Sequence, residues 1–197
     1  EEGQKTGFFL DQRENRALVK NMAAGKRVLN AFAYTGAFSV YALKGGASHV
    51  RSVDISEKAA AWTAENIALN FTAPPPHEFV VADVVEYLKG PHEPYDLIIL
   101  DPPAFAKHRE AIRQAGNAYQ KINRLAMSMI APGGLIFSFS CSQAIDNKLF
   151  RQILFAAAAE SGRNIRVLHR LSQPADHPVS IYHPEGEYLK GLVMQVD

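Results

Sequence analysis

Strand-like and helix-like segments alternate along the chain from Arg27 onward, and this alternation constrains the fold more than any other feature. Apolar runs alternating with amphipathic helical stretches are typical of a mostly parallel sheet with helices on both faces. The predicted strands are 27–32, 49–54, 78–82, 95–100, 135–140, 165–171 and 188–196. The predicted helices between them are 37–44, 57–70, 84–89, 115–130 and 147–161.

Both ends of the chain depart from this alternation. Residues 172–186 contain three prolines and no helical period, so the last strand is predicted to run antiparallel to its neighbours. At the amino terminus, residues 6–10 are predicted to form a small strand and residues 12–22 a helix capped by Asp11. We therefore expect an α/β domain with a seven-stranded sheet over residues 25–197, preceded by a strand and helix element over residues 1–24.

The composition indicates a single domain without a bulk charge. The chain has 197 residues, 47% of them hydrophobic, which is enough for one substantial core. Its 21 basic and 20 acidic residues give a net charge of +1, so any polyanion would have to be held by local patches. Three basic groups are candidates, although solvated helix faces explain them equally: Lys5 with Arg13 and Arg16; Lys107 with Arg109 and Arg113; Arg163 with Arg166 and Arg170.

A single cysteine, Cys141, excludes an internal disulfide and a multi-cysteine metal site, and it favours a reducing compartment. The chain contains no apolar run long enough to span a membrane, and its charged start does not resemble a signal peptide. We therefore expect a cytoplasmic protein with no membrane partner. The spacing of His177, His183 and Glu185 fits no zinc pattern, so no metal is predicted.

A nucleoside-bearing cofactor is predicted at the first two strand ends. Asp54 stands at the tip of the second predicted strand, where it can accept both ribose hydroxyls of a nucleoside bound over the first turn. That turn contains only Gly36 where a dinucleotide fingerprint has three glycines, which favours S-adenosylmethionine over NAD. Asp83, beside Val84 at the third strand end, is placed to meet the adenine amino group. A helix N-cap explains Asp83 equally well.

The apolar run 95–100 is followed directly by Asp101, Pro102, Pro103, Ala104 and Phe105. The two prolines end the strand and leave a stiff segment at the carboxyl edge of the sheet, where ligands of open α/β folds bind. A flat substrate could lie there against Asp101 and Phe105. The alternative interpretation is a rigid turn with a capping acid, because Asp-Pro is common in turns.

Taken together, these segments resemble class I methyltransferases, and specifically the large-subunit ribosomal RNA cytosine-C5 methyltransferases. The similarity covers nearly the whole chain and is carried by KTGFFLDQR (5–13), NAFAYTGAF (30–38), VDIS (53–56), DPPAF (101–105), SCS (140–142) and EGEYLK (185–190). It implies a Rossmann-like fold, S-adenosylmethionine as cofactor and ribosomal RNA as partner. The family normally carries an amino-terminal RNA-binding PUA domain, so we expect these residues to be its catalytic part, with residues 1–24 covering the cofactor.

The resemblance also implies roles for individual residues. Cys141 would add to carbon 6 of cytosine, and Asp101, at the end of the neighbouring strand, would steady or protonate N3. Lys107 or Arg109 is a candidate for the cation that activates the thiol. Cofactor contacts are expected at Gln12, Asn30, Phe32, Tyr34, Thr35, Gly36, Asp54, Ile55, Asp83, Val84 and Asp101. Substrate contacts are expected at Pro102, Pro103, Phe105, Lys107 and Arg109, with Phe105 either stacking on the extruded base or packing in the core.

Two other functions remain open at this stage. The same Asp-Pro-Pro turn serves enzymes that methylate nucleobase nitrogens, where no cysteine is needed. A module that binds cofactor or RNA without chemistry is the other possibility. The sequence identifies neither the target nucleotide nor the general base, and it leaves the oligomeric state open, a homodimer included.

Overall fold

The computed structural model describes residues 9–105 and 111–197. Their strands are β1 (Arg27–Ala31), β2 (His49–Asp54), β3 (His77–Val81), β4 (Tyr95–Leu100), β5 (Ile130–Ser140), β6 (Ile165–Leu171) and β7 (Lys190–Val196). Their helices are α1 (Arg13–Met22), α2 (Ala37–Lys44), α3 (Glu57–Asn70), α4 (Val84–Lys89), α5 (Ile112–Met129) and α6 (Asn147–Ser161). The described residues also include short 3₁₀ turns at Leu10–Gln12 and Pro184–Gly186.

All seven strands belong to one sheet with the order β3-β2-β1-β4-β5-β7-β6. Only β7 runs antiparallel to its neighbours, β5 and β6, and the other described pairings are parallel. The predicted fold class is therefore confirmed, including the antiparallel last strand. Strand β1 lies between β2 and β4. The strand order reverses there, with β2 and β3 on one side and β4 and β5 on the other, which creates the switch point where ligands of open α/β sheets bind.

The sheet separates two hydrophobic clusters, one under each layer of helices. Residues alternate in direction along a strand, so Leu29 packs in the cluster with α4, α5 and α6, whereas neighbouring Val28 packs with α1 and α2. The central strand β4 is buried on both faces, and Leu97–Leu100 have no exposed surface. This double burial explains why β4 is a continuous apolar run rather than an alternating one.

The amino-terminal element differs from its prediction. Residues 6–8 of the predicted small strand lie outside the described residues, and Leu10 begins a 3₁₀ turn instead of ending a strand. The prediction that Asp11 caps the helix is wrong, because α1 begins after Gln12 without a side-chain cap. The Asp11 carboxylate instead accepts a hydrogen bond of 2.7 Å from the Tyr188 hydroxyl, a partner far away in the chain.

Strand β5 begins at Ile130, earlier than the predicted start at Leu135. It runs through the segment Pro132-Gly133-Gly134, which on local composition alone is typical of a loop. The pairing with β4 shifts register between Tyr95 and Leu97, so the extra residues are accommodated as a bulge. A positive φ of 78° at Gly133 is part of this irregular stretch.

Two of the three basic groups contain arginines with structural roles. Arg16 is 2% exposed, and its guanidinium donates to the Phe9 carbonyl at 2.8 Å. Arg163 donates to the carbonyls of Met127 and Ile130 beneath the end of α5. These groups are therefore not simple polyanion patches. Lys5, Lys107 and Arg109 lie outside the described residues. Within the described ranges, no helix is long and apolar enough to cross a membrane.

Candidate active site

A cleft of about 1250 Å³ opens at the carboxyl ends of the central strands. Its walls come from the Leu10–Gln12 turn, the β1–α2 loop, the tips of β2 and β3, the Asp-Pro-Pro turn and the connection that leads into β7. The structure brings most of the predicted site residues together here: Gln12, Phe32, Tyr34, Thr35, Asp54, Ile55, Asp83, Val84, Asp101, Pro102, Pro103 and Cys141.

Three predicted site residues do not line this cleft. Asn30 is buried in β1, and its amide donates to the Ser39 hydroxyl at 2.9 Å. Gly36 has a φ of +71° and shapes the turn before α2. The Phe105 ring lies 4.8 Å from the Tyr119 ring and 6.3 Å from the Phe32 ring, centroid to centroid, which corresponds to the core-packing alternative. Lys107 and Arg109 fall outside the described residues.

The β1–α2 loop has an unusual backbone. Phe32 and Tyr34 adopt positive φ values of 61° and 47°, a region that costs non-glycine residues free energy. Two hydrogen bonds hold the loop against the tip of β2. The Ala33 amide donates to the Val53 carbonyl at 3.1 Å, and the Tyr34 amide donates to Asp54 Oδ2 at 3.0 Å. Strain of this kind clusters at binding sites, where the surrounding contacts maintain it.

Asp54 is held in a fixed orientation at the tip of β2. One carboxylate oxygen accepts from the Tyr34 amide, and the other accepts from the Ser56 amide, each at 3.0 Å. A carboxylate has about four acceptor positions, so it can still accept hydroxyl groups from the cleft side. The Tyr34 ring packs edge-on against Trp62 and lies 5.5 Å from the Phe9 ring, which together form an apolar wall nearby.

Asp83 fits both of its sequence interpretations. Its Oδ1 accepts a hydrogen bond of 3.0 Å from the Glu86 amide and thereby caps α4. The residue also lines the cleft beside Val84. Capping occupies one oxygen of the carboxylate and does not prevent a contact with a ligand.

Asp101 lies at the base of the cleft. Gln12 donates to its Oδ1 at 3.0 Å, and Asn15 orients that glutamine by donating to its Oε1 at 2.7 Å. Burial and the neighbouring charge of Asp11 raise the pKa of Asp101 to about 7, against the opposing effects of Gln12 and Arg16. Asp101 therefore exchanges a proton near neutral pH, which an ordinary exposed carboxyl group does not do.

Cys141 shares this end of the sheet with Asp101. The predicted adjacency is confirmed, since β4 and β5 pair in parallel and end at the same edge. The Cys141 Sγ lies 3.9 Å from the Pro102 carbonyl oxygen. Burial, followed by the charge of Asp101, raises the pKa of the thiol to about 11, and Lys190 acts in the opposite direction. The thiol is thus protonated at neutral pH in the protein without ligands.

The structure adds cleft residues that sequence reasoning missed. Asp11, Arg16, Trp62, His177 and Tyr188 line the cleft. Asp11, Arg16 and Tyr188 lie in the segments 5–13 and 185–190 or within one helical turn of them, so proximity to those motifs was the available signal. For Trp62, the only available signal was its position in the helix that follows Asp54. Nothing in the sequence indicated that His177 lines the cleft, because it is far from most of the other cleft residues along the chain and meets them only in the folded structure.

The amino-terminal element and the connection before β7 are joined by side-chain contacts at the cleft. Besides the bond between Tyr188 and Asp11, Arg13 forms an ion pair of 2.6 Å with Asp176. His177 Nε2 lies 3.3 Å from the Tyr188 hydroxyl oxygen. Across the described part of the chain, no cluster of His, Cys, Asp or Glu side chains has an arrangement that could hold a metal ion.

Curated relatives match the chain over part of their own length. The Ribosomal RNA large subunit methyltransferase I of Aeromonas hydrophila is 45% identical over 196 residues, which cover 98% of this chain and 49% of the relative. The protein of the same name from Serratia proteamaculans is 44% identical over an alignment of 199 positions, which covers 100% of this chain and 50% of the relative. The chain thus spans about half the length of these relatives.

A solved structure and a family model agree with the fold and with the cofactor class. A crystal structure of a protein described as a methyltransferase, complexed with SAH, matches with a TM-score of 0.88 and 33% identity, covering 99% of this chain and 52% of that one. The likeness confirms the Rossmann-like fold and the predicted cofactor class. The model of the family described as S-adenosylmethionine-dependent methyltransferase matches residues 1–193. The chain therefore belongs to the S-adenosylmethionine-dependent methyltransferase family.

Proposed function

We propose that this chain transfers a methyl group from S-adenosylmethionine to C5 of a cytosine in ribosomal RNA, with Cys141 as a covalent nucleophile. The observation that carries the proposal is the meeting of Asp101 and Cys141 in one cleft, at the ends of adjacent parallel strands. The names of the relatives support ribosomal RNA as the substrate class. Such a substrate would place the protein in the cytoplasm.

The residues of the cleft fit the cofactor. Asp54 would accept the ribose hydroxyls and Asp83 the adenine amino group, as their strand-tip positions suggest. Asp11 adds a further acceptor, because its Oδ1 is buried and has no hydrogen-bond partner among the described residues. An ammonium group of a bound ligand would satisfy that oxygen. When bound, the cofactor supplies an electrophilic methyl group on a sulfonium.

The protein's contribution to the chemistry would be to make C5 of cytosine nucleophilic. The Cys141 thiolate adds to C6, forming a carbon–sulfur bond, while protonated Asp101 donates its proton to N3. The resulting enamine carries electron density on C5. Once C5 is methylated, a base removes the C5 proton, the C5–C6 double bond re-forms, the carbon–sulfur bond breaks, and the N3 proton returns to Asp101. A carboxyl pKa of about 7 suits this reversible transfer.

The remaining parts of the chain would serve substrate and cofactor binding. Pro102 and Pro103 form a rigid wall of the cleft against which a planar base can lie. Lys107 and Arg109, with exposed Arg113 at the start of α5, would contact phosphates. Residues 1–24 would act as the element that covers the cofactor, and residues 25–197 as the methyltransferase domain.

Replacement of the cysteine tests this function. We expect Cys141→Ser to abolish methyl transfer to protein-free large-subunit RNA while leaving S-adenosylmethionine affinity and folding nearly unchanged, because serine is a far poorer nucleophile at neutral pH. An RNA containing 5-fluorocytosine, which has no C5 proton to remove, should trap the wild type covalently and leave the serine variant free. A serine variant that methylates at a comparable rate would contradict the proposal.

One observation favours nitrogen methylation as a second candidate. The raised pKa of Cys141 keeps the thiol protonated in the free protein, and a nitrogen methyltransferase would not need a thiolate. The two functions give different products from the same RNA. Mass spectrometric mapping of the modified nucleotide, together with the activity of the serine variant, separates them.

A further inference from the structure

A buried lysine on the neighbouring strand lies beside residues 140–142, which are called the cysteine loop below. Lys190 is the first residue of β7 and pairs with Ser140, the last residue of β5. It is 2% exposed, and its ammonium donates a hydrogen bond of 2.8 Å to the Ser142 carbonyl. Lys190 therefore contacts the residue before Cys141 through strand pairing and the residue after it through a side-chain hydrogen bond.

The burial of this ammonium requires an explanation, because a buried charge is costly without a partner. Among the described residues, no carboxylate lies within 4.0 Å of its nitrogen. Burial lowers the pKa of Lys190, and the charges of Cys141, Asp146 and Glu187 raise it. Both acids line a hollow of about 290 Å³ that Lys190 also borders. Their field favours the charged form of the lysine.

The groups around the thiol shift its pKa in opposite directions. The negative charges of Asp101 on β4 and Asp11 in the amino-terminal turn raise its pKa. The hydroxyl groups of Tyr119 on α5 and Tyr188 before β7 are also close enough to interact with it electrostatically. The charge of Lys190 opposes these acids and lowers the pKa of the Cys141 thiol.

We propose that Lys190 is a positioning residue that stabilises the Cys141 thiolate by its charge and holds the cysteine loop through its hydrogen bond to Ser142. On ionisation the thiol proton leaves for solvent and the lysine keeps its own proton, so the activated pair is a thiolate beside an ammonium. The catalytic meaning of this pair rests on the proposed function of Cys141. The ionisation itself can be measured without RNA or methyl transfer.

Alkylation of the thiol provides that measurement. Cys141 is the only cysteine of the chain and lines the open cleft, so the rate of reaction with iodoacetamide reports on it alone. The rate is measured from about pH 6 to 11 for the wild type and for Lys190→Arg, Lys190→Gln and Lys190→Met. Lys121→Met, a change at an exposed lysine on α5, is the matched control. Thermal melting verifies that each variant is folded.

We expect the two uncharged variants to react at least about tenfold more slowly at pH 8.5, which corresponds to one unit of thiol pKa. Lys190→Arg should stay within about threefold of the wild type because it keeps the charge, and Lys121→Met should not differ. Lys190→Gln keeps a donor for the Ser142 carbonyl but has no charge, so it separates the effect of the charge from the effect of the hydrogen bond. It also replaces Lys190→Met in the comparison if that variant does not fold. The corresponding loss of methyl transfer should appear in kcat rather than in KM.

A pH profile of folded Lys190→Gln that superimposes on the wild-type profile would overturn the proposal. Failure of the proposed function has a different signature. In that case Cys141→Ser keeps its methyl transfer, while the alkylation profiles of the lysine variants still differ from that of the wild type.

Discussion

At the scale of single residues, the site depends on the environment of Asp101. An isolated carboxyl group ionises near pH 4, but burial and the negative charge of Asp11 raise the pKa of this one to about 7. The hydrogen bond from Gln12 and the positive charge of Arg16 only partly offset the effect. The folded protein therefore favours the neutral carboxyl, which is the form that can donate a proton to a base.

The raised pKa predicts how stability depends on pH. Its folded value, about 7, exceeds the reference value of 3.8, so the contribution of Asp101 is fully present below about pH 4 and is lost as pH rises through 7. Asp101→Asn cannot ionise and can still accept from Gln12. We expect the variant to be more stable than the wild type at pH 8, by up to about 4 kcal/mol, and equally stable near pH 4. Urea unfolding at both pH values measures this difference.

The same variant should lose methyl transfer by roughly a hundredfold or more, because asparagine has no proton to give to N3. Opposite effects on stability and activity are the expected result for a buried acid that is retained for function. An equal stability difference at pH 4 and pH 8 would show that the carboxyl does not titrate in this range.

At the scale of elements, the β1–α2 loop determines the shape of the cofactor side. Two non-glycine residues and Gly36 take left-handed conformations within a few positions of one another. The loop also packs tightly against α3. A Cβ atom on Gly36 would lie 2.4 Å from a side-chain carbon of Thr63, a distance that real contacts do not reach. Glycine is therefore required here for both conformation and space.

A comparison of two glycines with the same φ separates the requirement for conformation from the requirement for space. Gly36 and Gly25 both have a φ of +71°, but a Cβ on Gly25 would meet nothing within 4 Å. We expect Gly25→Ala to cost about 1 kcal/mol from backbone strain alone. Gly36→Ala should cost a further 1 to 3 kcal/mol, roughly, because α3 has to move. Denaturant unfolding measures both variants.

Calorimetry with S-adenosylmethionine adds a functional comparison. Affinity should fall for Gly36→Ala and stay the same for Gly25→Ala, because only the first change displaces the loop that holds Asp54. Equal costs in stability for the two alanines would indicate that α3 yields without resistance.

At the scale of the whole molecule, contacts between the two ends of the chain join two walls of the cleft. Asp11 and Arg13 come from the amino-terminal element, and their partners Tyr188 and Asp176 come from the connection before β7. Within that connection, the Gln173 side chain accepts from the amides of Tyr188 and Leu189. This arrangement holds the connection at the position where it can form one side of the cleft.

Removal of one hydroxyl group tests what these contacts contribute to cofactor binding. Tyr188→Phe loses the hydrogen bond to Asp11, and we expect it to weaken S-adenosylmethionine binding by about 1 kcal/mol, or several-fold in Kd. Tyr182→Phe removes the same group from a side chain that is 87% exposed and should leave affinity unchanged. Calorimetry compares the two. Identical affinities for both variants and the wild type would mean that the Tyr188–Asp11 contact does not contribute to cofactor binding.

The sequence by itself determined the architecture and the residues at the strand ends. Hydrophobic period and chain breakers are local properties, so the alternation of strands and helices could be predicted, and with it the positions of Asp54, Asp101 and Cys141. Among the seven strands of the sheet only boundaries were misplaced, as at β5, where a bulge carries the strand through Pro132-Gly133-Gly134.

The tertiary structure alone decided which side chains reach the cleft and which partners they find there. Local sequence did not show that Asn30 and Phe105 are packed away from it, that Asp11 binds Tyr188 instead of capping a helix, or that Lys190 faces Ser140. Each of these depends on residues far apart in the chain that meet only when the sheet and its connections assemble. The pKa values of Asp101 and Cys141 belong to the same class, because burial and neighbouring charges are properties of the assembled site.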